Sequence, residues 1–367
     1  MKDTLFFTGY PGFLASDLVS QIIQERKAQL AHIYLLVLPH EKTNAANKLA
    51  RFQKEHQLDD ALFSIVVGDI TKENLAIEEK IRAEIKNTVT HVFHLAAIYD
   101  LAVEERLAES VNVTGTKNIN DFVQDLNKLK RYIYFSTAYV SGNREGRIYE
   151  HELSKGQAFR NHYERTKYDA EVAVQAIMED VPTTIIRPGI VKGHAQTGKT
   201  IKFDGLYFML NMYDKLRWLP FIPLLQTGAS PEGNFVSSDY LIRGTTFLAF
   251  DPIGEGKVYH LTDPKPYRMD ALQTMLMENY LGKKPRGKLA VKWMQYALSF
   301  SSVRKYLQVE KEALDYFTVH SSYNATEAQR DLAKGEIYCQ DLSDTIDAMI
   351  NFYDKYKHDS TKQLKIK

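Results

Sequence analysis

Leu5-Phe6-Phe7-Thr8-Gly9-Tyr10-Pro11-Gly12-Phe13-Leu14-Ala15 is an apolar run that breaks on a glycine turn. From Ser16 to about Ala28, the apolar residues Leu18, Val19, Ile22 and Ile23 recur at helical spacing, so the stretch reads as strand, tight turn and helix. Gly9 supplies backbone angles closed to other residues, and Gly12 has no Cβ to block an incoming phosphate. The free N–H groups and positive dipole end of the helix would face that phosphate. Ala15, at the third small position, still lets helix and strand pack closely. An ordinary strand-to-helix turn would use the same residues, so the turn gains weight only from the strands and helices in register with it.

Short β-branched and aromatic runs continue at Ile33–Leu38, Ser64–Val67, Val92–Ala96, Tyr132–Ser136 and Thr183–Arg187. Helical patterns lie between them near residues 43–56, 72–86, 103–127 and 162–179. Strands alternating with helices of this length predict a parallel sheet covered on both faces. Ligands of such sheets sit beyond the C-terminal strand ends, where the strand order reverses. Those ends carry Gly68-Asp69, Ala96-Ala97, Ser136-Thr137 and Pro188-Gly189. An Asp there can bond an adenine amino group or merely cap a helix; paired alanines leave room for a ligand or simply pack.

The alternation lapses after Lys192. Residues 193–233 are loop-rich, and Asn234–Phe247 with Lys257–Leu261 return to the sheet. Beyond Pro264 the pattern is mostly helical, near 269–281, 289–299, 309–317, 326–333 and 342–357. The expected organisation is therefore a doubly wound α/β domain from 1–192 with 234–262, and a mainly helical lid from 193–233 with 263–355. Residues 356–367 form a flexible basic tail.

Across 367 residues, 47 Lys and Arg balance 46 Asp and Glu, leaving no single-sign field to attract nucleic acid. The lone cysteine, Cys339, excludes an intramolecular disulfide and fits a reducing compartment. The most apolar window, Leu206 to Leu225, is interrupted by Asp214, Lys215, Arg217 and two prolines, so it is not read as a membrane span. With no secretory signal pattern at the start, the expectation is a soluble cytoplasmic protein. His91 and His94 point to opposite faces of one strand, so no metal site is expected.

The chemistry concentrates at Tyr163-Glu164-Arg165-Thr166-Lys167. On a helix, Tyr163 and Lys167 share one face, one turn apart. A nearby ammonium draws the phenol, ordinarily near pKa 10, toward the working range. Thr137, at the end of the fifth strand, offers a hydroxyl beside it. Tyr280/Lys284 and Tyr353/Lys357 repeat the spacing, but neither follows a Ser/Thr-ended strand by one loop. Position selects Tyr163.

The ordered set Thr8-Gly9-x-x-Gly12, Gly68-Asp69, His94-Leu95-Ala96-Ala97, Asn112-Val113-x-Gly115-Thr116, Ser136–Val140, Tyr163-x-x-x-Lys167 and Arg187-Pro188-Gly189 resembles the extended short-chain dehydrogenase/reductases. Phe235-Val236-x-x-Asp239-Tyr240 and Tyr259–Leu261 match later landmarks, so the resemblance spans about residues 4–265. Ser136–Val140, Phe159-Arg160-Asn161-x-Tyr163 and Ala170-Glu171 are most similar to the thioester reductase and fatty acyl-CoA reductase branch.

The resemblance implies a Rossmann fold and a set of roles. Thr8, Gly9, Gly12, Phe13 and Leu14 would seat a pyrophosphate, Asp69 and Ile70 an adenine. Leu95, Ala96 and Ala97 would lie against the cofactor's middle, and Pro188, Gly189 and Val191 against its nicotinamide. Tyr163 would be the general acid/base, Lys167 its electrostatic partner and a ribose contact, Thr137 the carbonyl donor, and Asn112 a structural or relay residue. NADP(H) is expected over NAD(H) on the resemblance, although Leu38 stands where an Arg would grip a 2′-phosphate; His40 and Lys42 could reach it, opposed by Glu41.

The implied activity is hydride transfer to a carbonyl-level carbon, in an acyl thioester or aldehyde with an apolar chain delivered by CoA or a separate carrier protein. Tyr207, Phe208, Met209, Met212, Trp218, Leu219, Phe221 and Ile222 form an apolar belt that would either cover such a chain or fill a lid core. Alternatives are oxidation of a secondary alcohol, as in hydroxysteroid dehydrogenases, or sugar-nucleotide epimerisation or dehydration. A cofactor-sensing regulator is the non-enzyme alternative. A homodimer would form through helices 103–127 and 162–179.

Overall fold

The computed structural model describes residues 2–99, 103–226, 228–364 and 366. Seven parallel strands form the central sheet: β1 (Asp3–Thr8), β2 (Leu30–Val37), β3 (Phe63–Val67), β4 (His91–His94), β5 (Arg131–Phe135), β6 (Thr183–Pro188) and β7 (Lys257–Leu261). Their spatial order is β7-β6-β5-β4-β1-β2-β3. The order reverses between β1 and β4, which places a crevice at their C-terminal ends.

Side chains of each strand alternate between two apolar layers. Leu5 and Phe7 face α1 (Phe13–Arg26) and α2 (Lys42–His56), whereas Phe6 faces α3 (Glu79–Thr88), α4 (Gly115–Gln124) and α5 (His162–Gln175). β4 is shorter than the expected 92–96 run. Its chain turns at Leu95 because the Leu95 and Ala96 N–H groups donate to Thr8 Oγ1. The helix expected over 72–86 begins only at Glu79, because Asn74, Leu75 and Ala76 take left-handed angles in a tight turn. That turn buries Leu75 and returns its carbonyl to the Asp69 N–H. The helix expected over 103–127 starts at Glu105 and passes through a wide π turn, Glu109–Thr114, before α4.

A second apolar core lies in the lid. It joins α6 (Leu206–Leu216), α8 (Met269–Leu281), α9 (Val291–Ala297), α10 (Ser301–Leu307) and α12 (Leu342–Tyr356). Between α6 and α8, α7 (Ser238–Phe250) returns to the sheet, as the Asn234–Phe247 pattern predicts. The expected 309–317 helix is a run of tight 3₁₀ turns, Lys311–Thr318.

Part of the stretch assigned to the lid packs elsewhere. Ser321–Tyr323 pairs with Gly146–Ile148, and α11 (Thr326–Leu332) buries Ala328 and Leu332 against the sheet domain. The basic tail is fastened as far as it is described. Lys357 Nζ lies 2.8 Å from Asp214, and Phe203 N–H donates to the Lys362 carbonyl. Lys365 and Lys367 lie outside the described residues. Among the described residues, no helix is long and apolar enough to cross a membrane.

Candidate active site

At the strand ends a solvent-open cleft of about 1560 Å³ runs from the glycine turn to the start of α5. Gly9, Gly12, Phe13 and Leu14 line one end. A Cβ on Gly12 would sit 2.6 Å from the Gly9 carbonyl, and one on Gly9 would sit 3.0 Å from Ala96 N. Gly9 also has φ +88°, a conformation that side chains resist. No side chain caps α1, so its first N–H groups point into the cleft free for an anion. This cradle fits the pyrophosphate of a dinucleotide.

Leu95, Ala96 and Ala97 form the wall beyond β4, and Pro188, Gly189 and Val191 the wall beyond β6. Thr8, Asp69 and Ile70 do not line the cleft. Thr8, nearly without exposed surface, holds the Leu95–Ala96 turn and meets His94 Nδ1 at 2.8 Å. His94 Nε2 reaches Thr116, and burial lowers the imidazole pKa to about 3, so the ring is a neutral strut under the wall. Asp69 Oδ1 accepts from the Thr71 N–H and hydroxyl, closing a turn. Ile70 packs on Gly115.

α5 is started by Asn161, whose side chain accepts the Glu164 N–H at 2.9 Å. That cap sets Tyr163 in the first turn, where it is 8% exposed and faces the cleft with Thr137 and Lys167. Burial pushes the Tyr163 phenol well above its ordinary value, and a hydrogen bond with Thr137 acts in the opposite direction. Lys167 donates to the Phe135 carbonyl at 2.5 Å and the Tyr134 hydroxyl at 2.9 Å. Burial lowers its ammonium to about 7, against the pull of Glu171. Desolvation rather than Lys167 sets the direction of the phenol's shift, and the contact that opposes it is the Thr137 hydroxyl.

Asn112 accepts the Ile98 N–H at 2.9 Å and donates to Thr166 on α5 at 3.0 Å. It ties the wall after β4 to the helix carrying Tyr163. Glu171, one turn beyond Lys167, bonds Ser136 and pairs with Arg187, locking α5 onto β5 and β6.

Several lining residues carry no motif in the sequence. Tyr99 stands edge-on to Tyr163, ring centroids 5.2 Å apart, and Tyr316 meets Tyr139 of the Ser136–Val140 motif at 4.8 Å. Thr200, Ile201, Lys202 and Asp204 form a strap across the cleft. Lys362 Nζ donates to the Thr200 carbonyl and fastens the strap. Burial raises the Asp204 carboxyl to about 6. The only sequence signal for the strap is its place in the loop-rich insertion after the sixth strand.

Tyr99, Ile190 and Tyr316 are shared with a second, narrow apolar cavity in the lid. Its walls include Phe208, Met209 and Met212 of α6, Leu225, Met269 and Leu314. The apolar belt thus divides. Phe208, Met209 and Met212 line the cavity, Tyr207 and Ile222 fill core, and Trp218 and Phe221 face solvent.

The family model described as "Male sterility protein", an NAD-binding family, matches residues 7–245. The chain belongs to that family. This male sterility family member is 27% identical over 237 residues to the fatty acyl-CoA reductase wat of Drosophila melanogaster, a match covering 55% of this chain and 46% of that one. The chain spans less than half the length of several curated relatives that it matches. Its fold superposes on the terminal R domain of the myxalamid PKS-NRPS biosynthetic pathway with a TM-score of 0.81 at 22% identity, covering 100% of this chain and 92% of that one. The yeast methylglyoxal/isovaleraldehyde reductase Gre2, solved with NADPH, superposes with a TM-score of 0.68 at 15% identity, over 97% and 99% of the two chains. The resemblance to the extended short-chain dehydrogenase/reductases and their acyl-CoA reductase branch holds.

Proposed function

We propose that this chain reduces an acyl thioester, or the corresponding aldehyde, that carries an apolar chain. The observation behind it is the shared wall at Tyr99, Ile190 and Tyr316, where the cleft holding Thr137, Tyr163 and Lys167 adjoins an apolar cavity. A bound nicotinamide supplies the hydride. Thr137 and Tyr163 hold the carbonyl oxygen, and Tyr163 gives it a proton as charge develops. Lys167, released toward a ribose, adds positive charge below Tyr163. Gly9, Gly12 and the first turn of α1 carry the pyrophosphate.

NADPH is the preferred cofactor in this reading. His40 and Lys42 stand exposed just past β2, while the Glu41 carboxylate is engaged by Asn44 at 2.8 Å. The acyl group arrives on CoA or on a separate carrier protein. Dimerisation through α4 and α5 completes the proposal and is tested by sedimentation.

The deciding experiment follows NADPH and NADH oxidation with acyl-CoA thioesters and aldehydes of increasing chain length. Turnover that rises with chain length and stops in Tyr163→Phe, with cofactor affinity nearly intact, supports the proposal. Wild-type rates in Tyr163→Phe, or turnover confined to sugar nucleotides, overturn it.

A further inference from the structure

The far side of the lid carries a different chemistry from its cavity. Trp218, Phe221, Trp293, Tyr296, Phe300 and Tyr306 are each between 52% and 71% exposed. Single exposed apolar side chains are ordinary, but six large aromatic ones in one corner are not. Backbone contacts gather them. The short strands Leu224–Gln226 and Lys288–Ala290 pair in parallel, and Arg286 N–H donates to the Ile222 carbonyl. Lys283 Nζ bonds the Arg217 and Leu219 carbonyls, and Tyr306 bonds the Lys215 carbonyl. Tyr296 and Phe300 stand 5.7 Å apart.

The same corner is basic. Between Glu278 and Glu310 the chain has seven Lys or Arg and no Asp or Glu. Among the described residues, no carboxylate lies within ion-pair distance of Arg286, Lys288, Lys292 or Lys305. A chain whose total charge is +1 thus concentrates unpaired cations where it exposes its aromatic rings. Trp and Tyr settle at the headgroup level of a bilayer, and Lys and Arg stems reach from there to lipid phosphates.

We infer that this corner of the lid is a docking surface for an anionic lipid membrane. It seats the protein on the surface without crossing the bilayer. The elements next to it in the chain, α6, the strand Leu224–Gln226 and the segment after α10, supply Met212, Leu225 and Val309 to the apolar cavity. An apolar substrate partitioned into that membrane therefore meets the lid from the side that shields it.

Flotation with vesicles of phosphatidylcholine alone and with added phosphatidylserine tests the inference without measuring turnover, so it stands or falls apart from the reductase proposal. Wild type should float with the phosphatidylserine vesicles and be released by salt. Lys288→Glu/Lys292→Glu, and separately Trp218→Ser/Trp293→Ser, should each float at least about tenfold less, at unchanged melting temperature. Wild type that stays with the soluble fraction overturns the inference, whether or not it binds an acidic acyl-carrier protein. So do variants that float like wild type, or a dimer that Trp218→Ser/Trp293→Ser dissociates while flotation persists.

Discussion

Arg187 and Glu171 meet at 2.6 Å with no exposed side-chain surface on either. Arg187 also donates to the Glu150 and Glu152 carbonyls, so one guanidinium joins β6, α5 and the loop after β5. Removing one partner leaves a buried charge uncompensated. Glu171→Ala should cost about 3–5 kcal/mol of stability, read from urea unfolding, and Glu171→Ala/Arg187→Met should recover part of it. A loss under about 1 kcal/mol would show that α5 is held by other contacts.

The glycine turn gives a prediction on affinity. A side chain at Gly12 must displace the Gly9 carbonyl or block the first turn of α1. Overpacking of this kind costs about 1–3 kcal/mol. Gly12→Val should therefore weaken cofactor binding by about ten- to a hundredfold, measured by nucleotide fluorescence, while the sheet stays folded.

Glu150 gives a prediction on pH. Its oxygens accept the His260, Glu327 and Ala328 N–H groups, which seats α11 on the sheet. Burial nevertheless raises its carboxyl from 4.5 to about 7. The folded state thus holds a proton that the unfolded state has already released, and stability falls as pH rises from 4.5 toward 7. The melting temperature should decline across that window. Glu150→Gln, which cannot ionise, should flatten the decline while lowering stability throughout, because its amide N–H₂ faces a backbone N–H.

The lid cavity predicts chain-length selection. Met209 lines it from α6. Met209→Trp fills part of the space a long acyl chain would take, and one methylene in an apolar pocket is worth about 1–3 kcal/mol. kcat/KM should fall at least about tenfold for long thioesters relative to short ones. An equal effect on both would move the acyl chain out of this cavity.

The sheet was legible because each strand is a short apolar run ending on a marked residue: Thr8 on β1, Thr137 after β5, Pro188 on β6. Two element boundaries differ from the pattern. Ala96 reads as strand by composition, but the Thr8 hydroxyl turns the chain two residues sooner. Leu75 reads as helix, yet burial of its side chain takes the backbone into the left-handed region. Tyr163, Lys167 and Thr137 were readable because one strand end and one helix turn place them. Asp204 and Tyr316 were not, because they reach the cleft from an irregular strap and from 3₁₀ turns that carry no period. Asp69 is a motif residue that also has a local part, since its Oδ1 closes a turn with Thr71.

The strap across the cleft has its buckle at Lys362, while the glycine turn at the other end of the chain lines the same cleft. Such a roof is closed by a pairing between residues 162 apart in sequence, so closing it carries the entropy cost of a long loop. A ligand can then settle on a finished floor before the ceiling shuts, and its departure has to wait for a local opening that need not disturb the sheet beneath.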